Sequence, residues 1–72
     1  MRTILVTTLV REGHVRSFQV RTAHPAGWES VEHEDRRLVR QQRYFDWHRL
    51  ERTLDRFACE IAYLRERGWR ET

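Results

Sequence analysis

Seventy-two residues make at most one domain, 1–72, and so short a chain buries only about 60% of the surface its unfolded form exposes, so a staple, a metal or a second subunit would help it. A single cysteine, Cys59, excludes an internal disulfide, no Cys/His group has zinc-ligand spacing, and no stretch approaches the ~20 apolar residues of a membrane span. The net charge of +3 comes from 14 arginines against 11 acidic residues, with no lysine and no asparagine, a usage that fits a GC-rich bacterial genome and makes arginine the ordinary solubilising cation.

The opening Met1-Arg2-Thr3-Ile4-Leu5-Val6 is interrupted by Thr7 and Thr8 and lacks a small-residue cleavage site, so it reads as a strand rather than a secretory signal, and a cytoplasmic protein is expected. Thr3 to Val10 is rich in strand formers. Ile4, Val6, Thr8 and Val10 share one face; Leu5, Thr7 and Leu9 share the other. Arg11-Glu12-Gly13 makes a turn, and His14 to Thr22 alternates with Phe18 and Val20 on one side. Ala23-His24-Pro25-Ala26-Gly27 is a loop. Trp28 to His33 and Leu38 to Phe45 form a second, more polar hairpin around Glu34-Asp35-Arg36-Arg37, with imperfect alternation that suggests a bulge.

The C-terminal third is helical. Asp46 is a good N-cap, and Trp47, Leu50, Leu54, Phe57, Ile61 and Leu64 follow at alternating spacings of three and four, one stripe facing a core. Gly68 ends the helix in the left-handed conformation, with Leu64 and Trp69 as the apolar pair of a Schellman cap. The fold class is therefore α+β: an antiparallel meander of about four strands, then one amphipathic helix across one face. The helix is expected over the Phe18/Val20 side, and Leu5 and Leu9 on the opposite, uncovered side.

Two surfaces follow. Arg36, Arg37, Arg40 and Arg43 crowd the second hairpin, and Arg49, Arg52, Arg56 and Arg67 lie roughly opposite the core stripe of the helix, near Tyr63. Guanidinium forks suit phosphate, so Arg36, Arg37, Arg40, Arg43, Arg49, Arg52 and Arg56 are the candidate nucleic-acid contacts. Leu5, Leu9, Trp28 and Trp69 are the candidate partner contacts, because an uncovered apolar sheet face and half-exposed tryptophans anchor interfaces. Trp47 is expected in the core. His48 beside Asp46 offers an acid–base group, but no nucleophile with a base and an orienting third group accompanies it, so no enzyme is expected.

Gly27-Trp28-Glu29, Val39-Arg40-Gln41, Tyr44 to Arg52 and Gly68-Trp69 together resemble a group of small uncharacterised bacterial proteins, a domain of unknown function, over Trp28 to Trp69. That resemblance implies a bacterial origin and no activity. The topology is also similar to that of the Whirly and positive-cofactor-type single-stranded DNA binders, which dimerise and use basic and aromatic sheet surfaces. The expected function is a non-enzymatic binding or assembly domain, a homodimer or a protein's partner. The alternative is single-stranded DNA or RNA binding. No cofactor and no membrane association is expected.

Overall fold

A computed structural model describes residues 2–72. Four long strands, β1 (Thr3–Arg11), β2 (His14–Thr22), β3 (Trp28–Glu34) and β4 (Arg37–Tyr44), precede helix α1 (Trp47–Glu66) and a two-residue strand, β5 (Arg70–Glu71). All pairings are antiparallel, in the order β4-β3-β2-β1-β5. The chain therefore meanders outward from β1 to β4, crosses back as a helix, and closes on the far side of β1.

Two tight turns set the meander. Glu12 and Gly13 join β1 to β2, and Asp35 and Arg36 join β3 to β4, all four with positive φ. Positive φ at both central residues defines the type I′ turn, whose twist matches a hairpin. Arg36, at φ 68°, pays for that geometry with a Cβ clash that glycine would not have. Arg36→Gly is accordingly expected to stabilise the fold by about 0.5–1 kcal/mol. Chemical denaturation checks this: the midpoint should rise with an unchanged slope.

The two-residue turn also fixes which faces meet. It pairs Arg11 with His14, so odd positions of β1 stand beside even positions of β2: Leu9 with Arg16, Thr7 with Phe18, Leu5 with Val20. Leu5 and Leu9 therefore lie on the same side as Phe18 and Val20, under the helix. The expectation that they face away is corrected: Leu9 is fully buried within the chain, and Leu5 packs against the same core. The side left uncovered carries Val6, Thr8 and Val10 instead. A bulge between Thr3 and Leu5, and another where His33 meets Leu38, interrupt an otherwise regular ladder.

The core joins Leu9, Phe18, Val20 and Tyr44 of the sheet to Leu50, Phe57 and Leu64 of the helix. The helix residues recur every seven positions, two turns apart, so they form the centre line of the buried stripe. Leu54 and Ile61 are half-buried beside it. The Phe57 ring meets Phe18 edge-on at 5.1 Å. Trp47 is a second correction. It stands at the first helical position, off the centre line, and is 47% exposed, touching Trp28 edge-on at 5.6 Å.

Both helix ends are capped as the sequence predicts. The Asp46 carboxylate accepts from the His48 amide at 3.0 Å. Gly68, at φ 94°, lets its own amide donate to Arg65 and the Trp69 amide donate to Leu64, each at 3.1 Å. That pair of bonds is the Schellman motif. It turns the chain so that β5, which the sequence reading did not foresee, pairs with Leu9 and Val10.

One buried polar group is satisfied locally. The Tyr44 hydroxyl lies 2.9 Å from the Thr53 hydroxyl, 3.2 Å from that of Ser30, and donates to the Gln42 side-chain carbonyl at 2.8 Å. Thr53 thus interrupts the apolar stripe without leaving a bare donor.

Candidate functional site

The arginines of the second hairpin do not form one patch. Alternation along β4, shifted by the bulge, sends Arg40 to the helix side opposite Glu32 and Arg43 to the uncovered side opposite Glu29. Arg36 sits at the turn tip. Arg37 pairs with Glu34 in the ladder, on the helix side. Arg49, Arg52 and Arg56 share one flank of α1, the flank from which Arg56 reaches Glu32 of β3. The structure therefore brings Arg37, Arg40, Arg49, Arg52 and Arg56 to one side of the molecule and separates Arg36 and Arg43 from them.

Several of these cations already have carboxylate partners. Glu32 is buried and lies 3.3 Å from Arg56 and 3.8 Å from Arg40. Glu60 reaches Arg16 at 2.7 Å and Arg56 at 4.0 Å. The result is a chain of alternating charge, Arg16–Glu60–Arg56–Glu32–Arg40, stitching β2, β3 and β4 to the helix. Arg16 lies 5.3 Å from the Phe18 ring and Arg56 5.0 Å from the Phe57 ring, so both cations also cap the aromatic core. Arg16 Nε is buried without a hydrogen-bond partner. The helix flank was predicted to point away from the sheet; Arg56 instead reaches back to it.

The uncovered sheet face has two halves. On β2, β3 and β4 it is polar: Arg21 donates to Glu29 through Nε and Nη2, at 2.8 and 2.6 Å, and Gln41 donates to the other Glu29 oxygen at 2.7 Å. Arg21, then Gln41, hold the Glu29 carboxyl below its ordinary range. Val31 is buried in this half, between its ladder neighbours Gln19 and Gln41. On β1 the face is apolar and open, with Val6 61% exposed and Ile4 exposed beside it. Leu38 and Val39 are exposed on β4.

A third surface lies at the start of the helix. Phe45 is 71% exposed, with the Arg43 guanidinium 5.9 Å from its ring, and Trp47 stands two residues on. Arg43 also donates to the His24 carbonyl at 2.6 Å, which fixes it against the loop containing the cis His24–Pro25 bond. Nothing in the residue pattern marks Phe45 as exposed, because an aromatic at a strand end looks like core. Trp28 and Trp69 are half-buried and packed against the core.

At the turns, Asp35 ties the second hairpin to the first. Its carboxylate accepts from the Val15 amide at 3.0 Å and stands 3.1 Å from His14 Nδ1, while its own amide donates to the Val15 carbonyl at 2.7 Å. The Val15 amide, then His14, hold the Asp35 carboxyl below its ordinary range. A carboxyl depressed in the folded state makes the unfolded chain bind more protons in acid, so its contribution is complete above the unfolded value, about 3.9, and fades as pH falls through the folded one. Asp35→Asn is expected to flatten that part of the stability–pH curve below about pH 5. Denaturation series at several acidic pH values check it.

The hollows on the surface are shallow. Three of them, of about 250, 390 and 310 Å³, surround the two tight turns and Trp69. Their volumes sit at the low end for ligand pockets. Among the described residues no three His, Cys, Asp or Glu side chains converge as a metal site would require, and the free Cys59 is exposed on the helix. No helix of the described residues is long and apolar enough to cross a membrane. Comparison with protein-family models, with curated proteins and with solved structures finds no match to this chain.

Proposed function

We propose that this domain works by binding, as an assembly module that forms a homodimer. The observation that carries the reading is the one-sided architecture: a single helix covers one face of the sheet, and the other face keeps Val6 and Leu38 in water. Covering these exposed aliphatic side chains with another protein would remove apolar surface from water. A domain of this size also gains from the added burial. The shallow hollows offer little to a small-molecule substrate. Light scattering across low to high micromolar concentration tests the reading. A mass approaching twice 8.9 kDa supports it, and a mass of one chain throughout overturns it.

Binding of single-stranded nucleic acid is the second reading. The exposure of Phe45 and Trp47 between Arg43 and Arg49 favours it, since stacking rings interleaved with guanidinium groups suit bases and phosphates. Against it, Arg40 and Arg56 are already engaged with Glu32. Affinity for an oligonucleotide should fall with salt, the logarithmic slope being about −0.7 per phosphate contacted on a single strand. Phe45→Ala should weaken binding at every salt concentration. No binding at physiological salt, or a flat salt response, removes this reading.

A further inference from the structure

We infer that the outer edge of β1 before Thr8 is the dimer seam: it pairs, antiparallel and across a two-fold axis between Ile4 and Leu5, with the same stretch, Thr3 to Val6, of a second copy of this chain. The inference rests on the assembly reading above and names the surface that performs it.

The first observation is backbone geometry. On its outer side β1 is covered, among the described residues, only by β5 and the residue after it: Arg70 and Glu71 pair with Val10 and Leu9, and the Thr72 amide donates to the Thr8 carbonyl at 3.0 Å. Thr8 thus turns its backbone groups outward. In a strand these directions repeat every second residue, so Val6 turns its N–H and C=O outward too. Among the described residues no strand stands beside it there. An unpaired edge of this kind is a template for another strand.

The second observation is the contrast between the two edges. Natural sheets protect their edges with charge, proline or a bulge. The β4 edge carries Arg37, Arg40 and Arg43 and has a bulge. From Thr3 to Val10 the β1 edge carries no charged residue at all, only threonine and aliphatics. Its one irregularity, at Ile4, adds no charge to the edge.

The third observation is that apolar groups flank this edge on both sides of the sheet. Val6 is exposed on the uncovered face. On the other face, the contacts of Arg56 with Glu32 and of Glu60 with Arg16 turn one helix flank toward β3 and β2. By the helical period Leu54, Ala58 and Ile61 share the opposite flank, and Leu54 and Ile61 pack against the same core cluster as Leu5 of β1. Leu5, Leu54 and Ile61 are only half-buried there. A strand laid against β1 would cover apolar surface both above and below itself.

Charge selects a second copy over a charged partner. A neutral edge offers nothing to a cation or an anion. Two copies joined here keep their basic sides apart: with strands about 4.8 Å from one another, the two β4 edges stand seven spacings, about 34 Å, apart. That is more than three Debye lengths at about 0.1 M salt. Joining at β4 would set the arginines of one copy against those of the other.

The test uses sedimentation or light scattering on the full chain and on single variants, each checked for its fold by circular dichroism. Wild type should reach the mass of two chains. Val6→Arg, at a site already open to water in the monomer, should weaken the dimer by about a hundredfold, because two charges enter an uncharged seam and two valines lose their cover. Val6→Ser, a gentler change, should weaken it by about tenfold. Leu38→Arg, equally exposed but on β4, should leave it unchanged. A dimer indifferent to both Val6 variants, or lost in Leu38→Arg, overturns the seam while leaving the assembly reading intact. A wild type that stays at one chain mass overturns both, whether the β1 edge is then bare or taken by an extended segment of another protein.

Discussion

Phe57→Ala is expected to remove about 3–5 kcal/mol of stability. Phe57 is fully buried, at the middle of the Leu50–Phe57–Leu64 line and edge-on to Phe18. Truncation leaves a cavity that neither the helix nor the sheet can collapse into, because Leu9, Val20 and Tyr44 are held by the ladder on the other side. Domains of this length have total stabilities of about 4–10 kcal/mol. One side chain thus carries a large share: at the low end of that range the variant is half unfolded, or more, before denaturant is added. Thermal unfolding followed by circular dichroism reads the loss. Phe57→Leu, which refills most of the space, should recover much of it.

The second large effect falls in the loop. Gly27→Ala is expected to cost about 3 kcal/mol. Gly27 holds φ at 87°, and a Cβ there would drive into the Tyr44 carbonyl oxygen and meet the Phe45 ring. Left-handed backbone strain of about 1–3 kcal/mol adds to an overlap with backbone that has no rotamer to escape through. The same residue accepts the Ala23 amide at 2.9 Å and precedes Trp28, which pairs with Tyr44 in the ladder. The damage should therefore spread to the β3–β4 end and to the exposed pair Phe45 and Trp47. Gly13→Ala makes the control: it has positive φ but open space around it, so it should cost only the strain.

These two sites differ in how far the sequence announces them. The helix was legible because three independent signals coincide: Asp46 to start it, the three-and-four spacing to orient it, Gly68 to stop it. The Schellman bonds from Gly68 and Trp69 follow from that agreement. Strand order was legible as well, since short turns permit only a meander. The facing of β1 was misassigned for an identifiable reason. Alternation says which residues share a face, but the parity of the connecting turn says which faces coincide, and the two-residue loop at Glu12-Gly13 places Leu5 and Leu9 with Phe18. β5 carries no periodic signal, because two residues cannot show one.

The candidate surfaces were less legible. Four arginines within eight residues look like a cluster in sequence, yet a strand with a bulge deals them to opposite faces and to the turn. Carboxylates distant in sequence then claim some of them, as Glu32 claims Arg40 and Arg56. Conversely, the exposure of Phe45 and of Val6 depends on where the helix stops covering the sheet, a tertiary property. The absence of charge between Thr3 and Val10 was visible from the start; its meaning required knowing that β1 is nearly an edge strand.

Amide hydrogen exchange resolved residue by residue, followed over dilution, distinguishes a bare edge from a paired one. The outward amide of Val6 should exchange rapidly in dilute protein and become protected as concentration rises through the dimerisation range, while amides facing solvent on β4 stay rapid throughout. A Val6 amide that exchanges equally fast in concentrated, associated protein would contradict pairing along β1, and one that is protected at every dilution would contradict the open edge itself.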